Sequence, residues 1–157
     1  MTGKTLIAYV TRMGATAEYA KIIAEVFEKM HGIEVDVVDL KKREPDLSEY
    51  DNVVIGTSIT IGRWPKQAMQ LLEKDFEGKK VAVFVSSSKA GDPKFYDQAY
   101  QSYLKDVLSE HPNLQPVAIE AFGGIVRIFG YTASDARTPD RARNWADRVG
   151  YIFKGEE

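Results

Sequence analysis

The sequence predicts an α/β three-layer sandwich: a five-stranded parallel sheet of order 2-1-3-4-5 with helices on both faces. Two observations carry this. Short apolar or alternating runs take turns with stretches of helical spacing along all 157 residues, as in successive βαβ units. The strand runs also divide into continuously apolar ones and charge-interrupted ones, which separates the middle of a sheet from its edges. No repeat, low-complexity tract or long linker interrupts the chain, so residues 1–157 read as one domain.

Thr5–Val10 is the first strand, apolar from Leu6 to Val10. The first helix carries Tyr19, Ile22, Ile23, Val26, Phe27 and Met30 on one face, and Gly32 ends it. The second strand, Ile33–Leu40, begins Ile33-Glu34-Val35-Asp36-Val37, with charge at alternate positions. Asn52–Ser58 is the third, built on Val53-Val54-Ile55. Pro65 opens the second helix, which continues through Met69, Leu72 and Phe76. The fourth strand, Lys80–Ser86, is apolar from Val81 to Val85. Asp92-Pro93 reads as a cap and first-turn proline for the third helix, with Tyr96, Tyr100, Tyr103, Leu104 and Val107 inside. The fifth strand, Pro116–Phe122, sets Glu120 between Ile119 and Ala121. Thr138-Pro139 begins the last helix, whose stripe is Ala142, Trp145, Val149 and Ile152. Strands 1, 3 and 4 therefore lie inside, strands 2 and 5 at the edges. Gly123–Arg137 is the one long stretch that reads as irregular.

Composition narrows the chemistry. With no cysteine, disulfides, thiolate metal sites and thiol nucleophiles are excluded. His31 and His111 are too far apart in sequence to read as a spaced ligand pair. A net charge of −2 gives no footprint for a nucleic acid. No run approaches the roughly 20 apolar residues of a transmembrane segment, and the N-terminus lacks the layout of a signal peptide. A cytoplasmic setting is the expectation; the oligomeric state is left open.

In such a sheet, ligands bind beyond the carboxyl ends of the strands, where the strand order reverses. Here that point lies between strands 1 and 3. Strand 1 exits through Thr11-Arg12-Met13-Gly14-Ala15-Thr16 straight into a helix. Hydroxyls, a turning glycine and unpaired amides at a helix N-terminus make a phosphate cradle; equally, Thr16 can serve as a cap and Gly14 as a turn. Strand 3 exits through Thr57-Ser58-Ile59-Thr60-Ile61-Gly62-Arg63-Trp64, and strand 4 through Ser86-Ser87-Ser88-Lys89-Ala90-Gly91-Asp92. Three hydroxyl-rich loops thus converge on one edge of the sheet.

On these residues the chain resembles the flavodoxin-like FMN-binding family. Thr11, Gly14, Ala15 and Thr16 match the family's Ser/Thr-x-Thr-Gly-x-Thr phosphate loop, with Met13 in place of the middle hydroxyl. Arg12 is positioned in sequence to compensate with a charge-assisted bond. The resemblance implies that the backbone amides of residues 12–16, with the hydroxyls of Thr11 and Thr16, hold the FMN phosphate and that Thr57 through Trp64 wrap the isoalloxazine ring. Trp64 would stack on the ring, its other reading being a packing staple for the second helix. Tyr96 is a candidate for the opposite face, although its spacing also fits the buried stripe. Gly62 or the Thr60–Ile61 peptide would face the flavin N5 edge, where glycine permits a peptide flip. The family's third loop maps to Ser86 through Asp92, including Ser86 and Lys89, and within it Ser87 and Ser88 would meet the pyrimidine edge. Val54-Ile55-Gly56-Thr57-Ser58-Ile59 and Thr11-Arg12 also look like the flavodoxin-type, menaquinone-dependent protoporphyrinogen oxidases. Those enzymes carry a long basic, aromatic insertion after strand 5; the equivalent Gly123–Arg137 here is short.

The function implied is electron transfer between redox partners, whether proteins or small planar donors and acceptors. The alternative is an FMN-dependent oxidoreductase acting on a quinone or porphyrinogen. Response-regulator chemistry is excluded, because strand 3 exits through Gly56-Thr57-Ser58 with no aspartate. Gly3-Lys4-Thr5 precedes a strand and so is no P-loop, and no Gly-x-Gly-x-x-Gly fingerprint occurs. Arg127, Arg137, Arg141, Arg143 and Arg148 alternate with Asp135, Asp140 and Asp147, which reads as a solvated helix face, the alternative being an anion-recognising patch for an acidic redox partner or a propionate-bearing substrate.

Overall fold

The computed structural model describes residues 3–156; residues 1, 2 and 157 of the expected domain lie outside it. Five parallel strands form the central sheet: β1 (Thr5–Val10), β2 (Val35–Asp39), β3 (Asn52–Ser58), β4 (Lys80–Ser87) and β5 (Ala118–Gly123). Their order is β2-β1-β3-β4-β5, as the apolar and interrupted runs predict. The expected second strand loses residues at both ends, and the fifth begins two residues after Pro116. Proline has no amide to give to a ladder, so strand pairing starts beyond it.

Helices α1 (Ala15–His31) and α5 (Pro139–Lys154) cover one face of the sheet. Phe27, Ile23, Trp145 and Val149 fill the layer between them and the strands. The other face carries α2 (Lys66–Leu72) and a continuous helical run of α3 (Tyr96–Tyr100), a π-helical turn over Gln101–Lys105 and α4 (Asp106–Ser109). Leu72, Leu104 and Leu108 pack there against Val53, Ile55 and Val83. Burying both faces is what makes β1, β3 and β4 apolar along their length.

Two expectations are corrected. The third helix does not begin at Asp92-Pro93; the Asp92 carboxylate accepts the Lys94 amide in a local turn, and the helix starts at Tyr96. Asx turns and helix caps use the same bond, so the dipeptide signals either. The stretch read as irregular, Gly123–Arg137, contains an antiparallel ribbon, β6 (Ile125–Ile128) and β7 (Tyr131–Asp135). Its two-residue turn, Phe129-Gly130, has both φ values positive, at 50° and 83°, the turn geometry that follows strand twist in a tight hairpin.

A knot fixes this ribbon to the sheet. The Tyr19 hydroxyl donates to the Gly123 carbonyl and accepts the Thr138 amide, while the Thr138 hydroxyl accepts the Gly123 amide at 3.1 Å. Burial pushes the Tyr19 phenol up, so it stays protonated and able to donate. Thr138 precedes α5 as expected, but its hydroxyl serves Gly123 and not the helix. The Ala136 carbonyl crosses Gly91 and Gly123 so closely that a methyl group at Gly123 would fall 1.6 Å from it.

Candidate functional site

At the switch point between β1 and β3 the strand exits enclose a cleft of about 390 Å³. Eleven of the eighteen expected site residues line it: Arg12, Met13, Ala15 and Thr16; Ser58, Ile59 and Gly62; and Ser86, Ser87, Ser88 and Lys89. All three loops therefore reach one cavity.

The loop after β1 turns inward because the Thr11 hydroxyl accepts the Gly14 amide at 3.0 Å. Gly14, at φ 103°, is the N-cap of α1. Thr11 thus closes the loop from behind and does not line the cleft. The amides of Met13, Ala15 and Thr16 find no acceptor among the described residues, as expected of the first turn of a helix. The 17-residue α1 adds the positive end of its dipole to them. At the floor, Thr16 and Ser86 share a buried hydroxyl–hydroxyl hydrogen bond of 2.7 Å, joining the first and third loops.

The β3 exit forms the opposite wall. Thr60 and Arg63 exchange both backbone hydrogen bonds, at 2.8 and 3.0 Å, around Ile61-Gly62. Ile61 sits at φ 51° and is 90% exposed, so it marks the rim, and Gly62 alone of that pair lines the cleft. A β-branched residue at positive φ is a strained arrangement, and such strain gathers at functional sites. Ser58 Oγ is buried beside the cleft with no hydrogen-bond partner among the described residues.

Several expected residues lie elsewhere. Trp64 is 8% exposed and packs in the core; its indole N–H donates to the Tyr103 carbonyl at 2.7 Å. It therefore offers no face to the cleft. Thr57 is fully buried and donates to the Ser58 carbonyl, because it points to the other face of β3. Tyr96 does not line the cleft either. Its hydroxyl donates to Glu120, and Arg141 lies 4.9 Å above its ring. Burial, then the Glu120 carboxylate, pushes the Tyr96 phenol well up, so it remains a hydrogen-bond donor. Thr60 and Ile61 frame the turn without lining the cavity.

Four lining residues escape the sequence reading: Tyr103, Gly124, Ile125 and Val126. Tyr103 lies in the π-helical turn, whose backbone is also the acceptor for Trp64. Wide turns of this kind often mark functional positions, but no local residue pattern announces one. The other three form the root of the ribbon. Its Arg127 reaches across the first loop, donating from Nη1 to the Met13 carbonyl at 3.0 Å.

A family model described as flavodoxin domain matches residues 6–138. Over 72 residues, 45% of this chain, the sequence is 38% identical to the protoporphyrinogen IX dehydrogenase (quinone) of Escherichia coli strain K12. That match spans 39% of the relative's length, well under half. Flavodoxin 2 of Bacillus cereus shares the fold at a TM-score of 0.61 and 22% identity, over 98% of this chain and 99% of that one. A Fusobacterium nucleatum flavodoxin variant bound to flavin mononucleotide aligns at 0.56 and 17% identity, over 98% and 96%. Among the described residues no helix is long and apolar enough to cross a membrane, and no group of acidic and histidine side chains is arranged to hold a metal. With its fold shared and most of its length matched by the family model, the chain belongs to the flavodoxin domain family.

Proposed function

We propose that this chain binds FMN in the switch-point cleft and carries electrons between redox partners. One observation carries the reading: the same cleft joins open amides at the N-terminus of α1 to a buried hydroxyl, Ser58 Oγ, that lacks a partner among the described residues. Amides and helix dipole together suit a phosphate monoester. Ser58, Ser87 and Ser88 suit the polar edge of a flavin, and Ile59, Tyr103 and Val126 suit its apolar ring. The volume of about 390 Å³ lies in the range of cofactor clefts, roughly 300–1,000 Å³.

In this assignment the residues divide the work. The loop from Arg12 to Thr16 holds the phosphate, and Thr16 is itself held by Ser86. Tyr103 takes the ring-covering role that the sequence suggests for Trp64, while Trp64 fixes the backbone from which Tyr103 projects. Gly62 borders the cleft at a turn whose neighbouring peptide has freedom to reorient. When bound, FMN supplies the one- and two-electron chemistry, and the chain contributes binding, orientation and exclusion of water.

A second reading is an FMN-dependent oxidoreductase acting on a quinone or porphyrinogen. The match to the Escherichia coli dehydrogenase favours it, as do the apolar side chains of Ile61 and Phe129 exposed on two turns next to cleft-lining segments. The test begins with absorbance of the purified protein and its titration with FMN. A yellow flavin spectrum, or uptake of one FMN per chain, is expected; a protein that takes up none overturns both readings. Anaerobic reductive titration and turnover assays then separate them. Reduction in two resolved one-electron steps, with no turnover of menaquinone or protoporphyrinogen, supports the carrier. Direct turnover of either substrate supports the enzyme.

A further inference from the structure

The phosphate loop has an outer face as well as an inner one, and the ribbon touches it. Arg127 Nη1 donates to the Met13 carbonyl, and the Arg127 amide lies 3.1 Å from the Met13 sulfur. The ribbon is irregular at that point. Pairing jumps from Ser134 opposite Val126 to Thr132 opposite Arg127, leaving Ala133 unpaired. Bulges of this kind re-aim a side chain beside a site. Gly14 leaves the space, since a methyl group there would stand 3.3 Å from Arg127 Nη1.

The placement is electrostatically unusual. A guanidinium set against the first turn of α1 faces the positive end of a helix dipole, where cations are disfavoured. No carboxylate forms a direct ion pair with it among the described residues. Asp135 feels the charge of Arg127, but both its oxygens are engaged by Arg137, at 2.8 and 2.6 Å. Glu18 is likewise paired with Arg137. A dianion inside the loop would reverse the sign of this arrangement. Arg12, which the sequence suggests for the compensating charge, lies exposed at the cleft edge, with no ion pair among the described residues to hold it in place.

We propose that Arg127 is a positioning residue of the phosphate loop, holding the Met13 carbonyl outward and making the site select a phosphorylated flavin over an unphosphorylated one. The inference rests on reading the cleft as an FMN site. It assigns to the ribbon the contribution that the missing hydroxyl at Met13 would otherwise make. Arg127 acts through Met13 and through its charge, which a screened, partly aqueous site transmits over several ångströms.

The test uses the full chain freed of flavin, titrated with FMN and with riboflavin at low and high salt. Arg127→Gln keeps an N–H for Met13 and removes the charge; Arg127→Lys keeps the charge without the fork. Arg127→Gln is expected to weaken FMN at least tenfold, leave riboflavin within twofold, and flatten the salt dependence of FMN binding. Arg127→Lys is expected to recover most of that loss. Unchanged FMN affinity in Arg127→Gln overturns the inference, and so does an equal loss for both flavins, which would mark a purely structural role. Lys no better than Gln overturns the part played by charge. A wild-type chain that binds neither flavin overturns the underlying reading instead, so the two failures are distinct.

Discussion

On the α1 side of the cleft, the loop from Thr11 to Thr16 is tied at every turn. Gly14 bonds to Thr11, Lys41 donates to the Thr11 carbonyl, Thr16 bonds to Ser86, and Arg127 bonds to Met13. On the β3 side, the turn around Ile61 is held by the Ile59 amide on the Ser86 carbonyl and by the reciprocal Thr60–Arg63 pair. It carries its strain at an exposed residue. Under the proposed function, the contrast matches two tasks: a fixed charge is best met by donors that cannot move, whereas a ring whose edge changes protonation on reduction is best met by a peptide that can. On that reading one cavity combines a rigid half and a compliant half, with Ser86 common to both.

That contrast can be broken at either wall. The largest effect is expected from Gly123→Ala, whose methyl group meets the Ala136 carbonyl at the root of the ribbon. Overpacking against backbone should cost about 3 kcal/mol or more, seen as a lowered denaturation midpoint. A wild-type midpoint would mean that the ribbon root gives way freely. Next is Thr16→Val, which strands the buried Ser86 hydroxyl and should remove about 1–3 kcal/mol of stability along with flavin affinity. Equal affinity in this variant would detach the rigid wall from phosphate binding.

At the compliant wall, Tyr103→Leu should weaken flavin binding by about 1 kcal/mol, near fivefold, with the unfolding transition unmoved. Loss of stability in place of affinity would show Tyr103 to be a packing residue. Ile61→Asn relieves a positive-φ strain that Asn tolerates and should stabilise the fold by about 1 kcal/mol; destabilisation would show that Ile61 is held by contacts and not under strain. The smallest effect is electrostatic. Hydrogen bonds from Arg137, side chain then backbone, lower the Asp135 carboxyl from 3.8 to about 2. A depressed carboxyl adds stability above its unfolded value, lost as the pH falls from about 4 towards 2. Asp135→Asn should flatten that part of the stability–pH curve slightly, since the pair is exposed.

The sheet was readable because burial on two faces leaves a different residue pattern from burial on one. Val53-Val54-Ile55 and Ile33-Glu34-Val35-Asp36 differ on the page as β3 and β2 differ in the molecule. The shape of the loop after β1 was readable for a similar local reason: its open amides, its turn and its helix are consecutive. Trp64 was not, because the acceptor that draws its N–H inward is a carbonyl thirty-nine residues away. Nor was the ribbon. Every residue of β7 is exposed, so no apolar alternation marks it, and Phe-Gly stands where Asn-Gly would announce a turn. The cleft residues that went unseen, Tyr103 and Gly124 to Val126, all come from these two places.

The ribbon's apex also has a consequence for handling the protein. Phe129 is 96% exposed on a two-residue turn, with Tyr131 beside it. An aromatic-specific protease should therefore make its first cut there, at a loop tip free of packing. The fragments on either side would stay together, since α5 remains packed on α1 through Trp145, Val149 and Phe27. The same bond is thus a place to open the chain, or to splice in a reporter, while the sheet beneath stays closed.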